Sequence, residues 1–230
     1  MTPVIIIGLL SVMTVTLRVL TAAGKSSASG GFAAKAIASV LFCMAGIAAV
    51  SGHEITLPRA GMLAAFIFAF MGDVFLGLGP FTHEKHKSFF FTLGSVPFLL
   101  AQLLYIAVLI SLAPLKAALL PIAFALPVLY LLLIGRRTLA YLCENTVPIL
   151  CYGAVVSVMV MAAANAFAAG HAAGAFALPA GVLFAISDTA LFLHNFGNDR
   201  VRAQGKTLTA LVMLPYYAAQ ALFAMALVNI

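Results

Sequence analysis

Eight apolar runs fill most of this chain, at roughly 3–23, 32–51, 60–80, 88–112, 114–134, 145–169, 175–196 and 207–229. About 20 apolar residues in a helix cross the hydrocarbon of a bilayer. Backbone amides find no water there, so only helices and closed barrels can span it. The runs are continuous rather than alternating, which excludes barrel strands. Of 230 residues, 64% are hydrophobic and 8% are charged, against about 25% charged in a typical soluble domain. The expected fold is therefore an all-α, polytopic transmembrane bundle of eight helices, one integral-membrane domain over residues 1–230.

The polar breaks read GKSSASGG, GHEITLPR, FTHEKHK, GRRTLAYLCEN and GNDRVRAQGK, all turn or loop compositions. Two breaks are weaker. One rests on Ala113, Pro114 and Lys116, the other on Gly170, His171 and Gly174. The loops after runs 1, 3, 5 and 7, with their flanks, hold Arg18, Lys25, Lys35, Lys85, Lys87, Arg136, Arg137, Arg200, Arg202 and Lys206. The other side holds Arg59 and Lys116. This bias puts the richer side in the cytoplasm and both termini away from it. It also accounts for the net charge of +6 without a nucleic-acid partner. The first run lacks a basic leader and a convincing cleavage site, so it is expected to stay as a span. In a bacterium the expected location is the inner, cytoplasmic membrane. Cys43, Cys143 and Cys151 show no metal spacing and are expected to be reduced.

Two acids lie deep inside apolar runs: Asp73 in the third and Asp188 in the seventh. A carboxylate at the centre of a membrane helix costs about 2.5–3.5 kcal/mol on insertion scales, and such residues are usually functional. Both runs descend toward the cytoplasmic side, so the two acids are expected at similar depth and able to meet. Two carboxyls close together in a poor solvent for charge do not both ionise. One then serves as an acid and the other as a base. A transporter can use the same pair to carry a proton, and a purely structural pair only ties helices together.

Short stretches around the acids echo each other. AFMGDVFLG surrounds Asp73 and FAISDTALF surrounds Asp188; PFLLAQLL from Pro97 resembles PYYAAQAL from Pro215. The acid-to-glutamine interval is 29 residues (73 to 102) in one half and 32 (188 to 220) in the other. The echo suggests two parallel four-helix halves, 1–112 and 114–230, about an axis along the membrane normal.

Further polar side chains are candidates for a substrate-facing wall or for interhelical hydrogen bonds. They are Gln102 and Tyr105 in the fourth run, Tyr152 in the sixth, Asn195 in the seventh, and Tyr216, Tyr217 and Gln220 in the eighth. Asn195 is seven residues beyond Asp188 and so on its face. Asn165 belongs near the outer interface. Lys35 either snorkels or serves as counter-ion to a lipid phosphate or an aspartate. His83 and His86 with Glu84 read as a solvated turn, and no metal site is expected. His53, His171 and His194 read as interfacial. Ser187 has no histidine placed to activate it.

These residues fall into an order that resembles the YhhN-type lysoplasmalogenases, a family of small eight-span membrane proteins. The resemblance is carried by Lys35, MGDVFL at 71–76, FTLGSVPFLLAQLLY at 91–105, Tyr152, LFAISDTAL at 183–191 and PYYAAQAL at 215–222. It departs at Gln102, where the family often has a histidine; this favours a positioning role there over proton transfer. The resemblance implies hydrolysis of the vinyl-ether bond of lysoplasmalogens, giving a fatty aldehyde and a glycerophospho-base. Asp73 and Asp188 would be catalytic, and the polar set together with Lys35 would bind substrate. The lysophospholipid and membrane lipid would be the partners, with no metal or organic cofactor. A proton-coupled transporter or lipid translocator is the alternative, and a non-catalytic lipid-binding scaffold is a third.

Overall fold

The computed structural model describes residues 1–21, 28–138 and 142–230, except for the side chains of 20, 21, 28, 29, 84–88, 142–146 and 148. Eight helices are long and apolar enough to cross a membrane, and no strand occurs among the described residues. The chain is a multi-pass membrane protein. Its spanning helices are α1 (Thr2–Thr21), α2 (Ala28–Val50), α3 (Leu57–Leu78) and α4 (Glu84–Leu112) in the first part of the chain. The fifth, α5, is an α-helix over Leu120–Tyr130 that continues as a π-helical stretch over Leu131–Gly135 and a final turn, Arg136–Thr138. Then come α6 (Leu142–Ala168), α7 (Ala172–Phe196) and α8 (Gly205–Val228). Lys25 lies outside the described residues, as do the side chains of Glu84, Lys85, His86, Lys87 and Cys143.

The helices are turned for lipid. On α1, Ile6, Leu9, Met13 and Leu17 are exposed, while Val4, Ser11 and Val15 are buried. Lipid tails are as apolar as leucine, so nothing is gained by hiding large aliphatic groups. Helices associate where small residues let backbones approach. That pattern is clearest on α7, whose buried residues include Ala173, Gly174, Ala177, Ala180, Gly181 and Phe184. Asp188 is four residues beyond Phe184 and continues that stripe. The packing of α7 against its neighbours thus carries Asp188 into the bundle.

Helix α8 is the hub and packs on α7, α1, α2 and, more lightly, α3. Other extensive contacts join α1 to α2, α2 to α3, α3 to α4, α4 to α6, and α6 to both α5 and α7. Helix α5 is peripheral. Its buried residues, Ala123, Pro127, Leu131 and Gly135, recur every four positions and form one narrow stripe.

The two weak breaks have local causes. Asn165 is buried and donates to the carbonyls of Ala113 and Pro114 at 3.2 and 3.1 Å, so it fixes the turn after α4. Between α6 and α7 the chain reverses through Gly170 at φ +82°, a conformation that favours glycine. Gly174 then crosses so closely that a Cβ there would stand 2.4 Å from the Phe167 amide nitrogen. Backbone cannot yield as a side chain can. Gly174→Ala is therefore expected to lower stability by about 1–3 kcal/mol, read as a lower thermal midpoint in detergent. Gly205→Ala, which meets nothing within 4 Å, should leave that midpoint unchanged or raise it. Equal midpoints for the two variants would refute the close crossing.

Candidate active site

Asp73 sits four turns into α3 with 2% of its side chain exposed. Its Oδ1 pairs with Lys35 Nζ at 3.1 Å. Its Oδ2 accepts from the Ser39 hydroxyl at 2.7 Å and the Tyr216 hydroxyl at 2.8 Å. Tyr217 stands 3.0 Å from Ser39 and donates to the Lys35 carbonyl at 3.1 Å. An ammonium and two hydroxyls on one carboxyl suit the ionised form, which accepts at both oxygens. Lys35 is 19% exposed and bound to Asp73, so the counter-ion reading holds and the snorkelling one does not. Ser39 was not singled out by the sequence. Its signal is its spacing, one helical turn beyond Lys35 on the same face.

Asp188 has different company. Its Oδ2 accepts from Gln102 Nε2 at 2.9 Å and from the Tyr152 hydroxyl at 3.1 Å. Gln102 Nε2 also lies 3.0 Å from the Tyr152 oxygen, closing a triangle. Among the described residues Asp188 has no cationic partner, and its Oδ1 accepts no hydrogen bond. Gln102 is fully buried, and its amide donates to the Asp188 carboxyl.

The two acids face one cavity of about 30 Å³, lined also by Lys35, Phe98, Ser187, Tyr216 and Tyr217. One water needs about 10–15 Å³ by the same measure, so the space suits a water or two rather than a whole lipid. Phe98 closes one wall. Its ring lies against Gly72, where a Cβ would stand 2.7 Å away, and meets Tyr216 edge-on at 5.7 Å. Ser187 is turned to a structural task and donates to the Val212 carbonyl at 2.7 Å.

Wider spaces flank this core. On the α5–α6 side, Asp188 also lines a cavity of about 190 Å³ with Pro127, Tyr130, Tyr152, Val156, Ala185 and Phe192. On the other side are cavities of about 320 and 350 Å³ that share Lys35, Leu76, Pro80, Leu191 and His194.

The remaining expected residues divide. Tyr216 and Tyr217 belong to the Asp73 cluster, and Tyr152 to that of Asp188. Asn195 does not reach Asp188. It is exposed, donates to its own helix at Leu191 O, and lines the 350 Å³ cavity beside Lys35. Seven residues make slightly less than two full turns, and Phe192, at four, takes the place beside Asp188. Tyr105 and Gln220 are buried and joined at 2.8 Å. They do not line the acid cavity, and their side chains link α4 to α8, as the interhelical alternative describes. His83, His53 and His171 are exposed. No group of three metal-binding side chains occurs among the described residues.

The Lys35–Asp73 pair yields a stability test. Removing one member of a buried pair strands the other and costs up to about 3–5 kcal/mol. Lys35→Met should lower the thermal midpoint clearly, and adding Asp73→Asn to it should recover much of the loss. A double variant no more stable than Lys35→Met alone would show that the pair is not an energetic unit.

No curated protein and no solved structure gives a significant match to this sequence. A family model does, over residues 30–227, which takes in both acids and all of their described partners. The chain belongs to the YhhN family.

Proposed function

We propose that this protein is a membrane hydrolase that cleaves the vinyl-ether bond of lysoplasmalogens, releasing a fatty aldehyde and a glycerophospho-base. Family membership is consistent with a hydrolase of this kind. The observation that carries the reading is the convergence of Asp73 and Asp188, from different helices, on one small cavity. Their surroundings divide the labour. Asp73 is matched by Lys35 and works as the carboxylate. Asp188 meets only neutral donors and works as the acid, with Oδ1 carrying the proton.

The reaction then balances without a cofactor. Asp188 gives its proton to the β-carbon of the alkenyl ether, and the double-bond electrons form the new C–H bond. The resulting oxocarbenium ion has its charge on the α-carbon and ether oxygen, next to the Asp73 carboxylate. Asp73 takes a proton from water as the water oxygen bonds to the α-carbon. In the hemiacetal the hydroxyl proton returns to Asp188, the C–O bond to glycerol breaks, and Asp73 protonates the departing oxygen. Both carboxyls end as they began. Glycosidases meet a comparable cation with two carboxyls; the likeness is one of charge and not of fold.

The substrate's alkenyl chain lies among the helices, and its head group points toward the Lys35 side. In a bacterium the protein resides in the cytoplasmic membrane with both termini outside the cytoplasm. The same reading treats 1–112 and 114–230 as related halves. Asp73 on α3 takes its donors from α2 and α8, and Asp188 on α7 takes its donors from α6 and α4. Each set is the other advanced by four helices. Tyr105 and Phe223, each three residues past an echoed glutamine, stack at 4.1 Å with planes 9° apart.

The test is aldehyde release from lysoplasmalogen by the purified protein in nanodiscs. The wild type should release aldehyde. Asp73→Asn and Asp188→Asn should each lower turnover by about 100-fold or more, with thermal midpoints showing that the variants are folded. A transporter or scaffold would release none, and near-normal turnover in either variant would sink the assignment of the pair.

A further inference from the structure

The two larger cavities beside Lys35 have a lining unlike the rest of the bundle. Arg18 from α1, Lys35 from α2 and His194 from α7 meet at the 320 Å³ cavity, and the second, of 350 Å³, adds Asn195. Among the described residues no carboxylate lines either one, though the Lys35 ammonium reaches Asp73 in the adjoining cavity. The Arg18 guanidinium lies over the start of α2, where a Cβ on Gly31 would be 3.8 Å from its Nη2. Gly31 belongs to the first turn of that 23-residue helix, the positive end of its dipole. Two cations, an imidazole and a helix start thus converge at the mouth of an otherwise apolar site. The complement of such a lining is an anion, and a guanidinium beside an ammonium suits phosphate oxygens in particular.

We infer that Arg18, Lys35 and His194 form a binding site for the phosphate of a lysolipid head group. The 320 Å³ cavity adjoins the acid cavity, the two sharing Lys35, Leu76, Leu191, Val212 and Met213 as lining. A lysolipid held by its phosphate at Arg18 directs its glycerol ether toward Asp73 and Asp188. Lys35 therefore has two tasks, holding Asp73 and closing the phosphate site. Arg18 precedes the region matched by the family model, which does not extend to this part of the site. The inference rests on the reading that a lysolipid is the substrate, and its test needs no turnover.

The experiment uses the full chain in nanodiscs and a labelled 1-O-alkyl-glycerophosphocholine, a saturated ether without the reactive double bond. The same measurement is made with 1-O-alkylglycerol, which lacks the phosphate. Arg18→Gln should weaken the phosphate-bearing ligand by about tenfold or more and the alkylglycerol by less than about twofold. Arg18→Lys should fall between wild type and Arg18→Gln. His194→Gln should act in the same direction with a smaller effect. Equal loss of both ligands, or loss of neither, would overturn the inference. So would displacement of the label by inorganic phosphate as effective as by unlabelled alkyl-lysolipid, because the site would then read a free anion. A protein that shows this phosphate preference but releases no aldehyde refutes the hydrolase reading and leaves the site standing. Aldehyde release with no Arg18-dependent preference does the reverse.

Discussion

Everything at the centre of this bundle depends on placing a carboxylate charge in a poor solvent for it. Asp73 is almost wholly buried, and an isolated ion at that depth would not be kept. Lys35 supplies the opposite charge, while Ser39 and Tyr216 supply hydrogen bonds to the other oxygen. Together with Asp73 these groups span three helices, so the charge can be accommodated only when α2, α3 and α8 are assembled. The pair is thus a condition on tertiary structure as well as a chemical device. A buried ion pair is weak evidence for stability by itself. Its worth here lies in setting an ion-paired acid beside one with neutral partners at the same cavity.

That difference between the acids follows from their neighbours. Asp188 is carried inward by the small-residue stripe of α7 and meets an amide and a phenol. Neither partner carries a charge to balance an anion. The fold therefore brings an acid paired with a cation and an acid with neutral partners to one small cavity. The wider cavities to either side differ in kind, one largely apolar and the other bearing cations.

Much of this was legible in the sequence because the bilayer imposes strict rules. Eight apolar runs give eight spans, since no other backbone arrangement satisfies amides in lipid. The two aspartates stand out because each is costly where it lies. Gln102, Tyr152, Tyr216 and Tyr217 were legible as polar groups needing partners, though not which partner each would take. Ser39 was hidden, because a serine one turn from a lysine in an apolar helix costs little and signals little. Arg18 read as a loop-flanking charge and His194 as interfacial, and only the folded chain brings them to a common space beside Lys35. Asn195 shows the limit of periodicity. A helical wheel gives direction to within a few tens of degrees, and that error suffices to move a side chain from one cavity to its neighbour.

The most direct test of the central claim asks which acid holds the proton. Infrared spectroscopy of the protein in nanodiscs at neutral pH resolves the carbonyl stretch of a protonated carboxyl from the bands of carboxylates. The wild type should show one such band, and Asp188→Asn should lose it. A band that survives in Asp188→Asn and disappears in Asp73→Asn would reverse the division of roles and contradict the account.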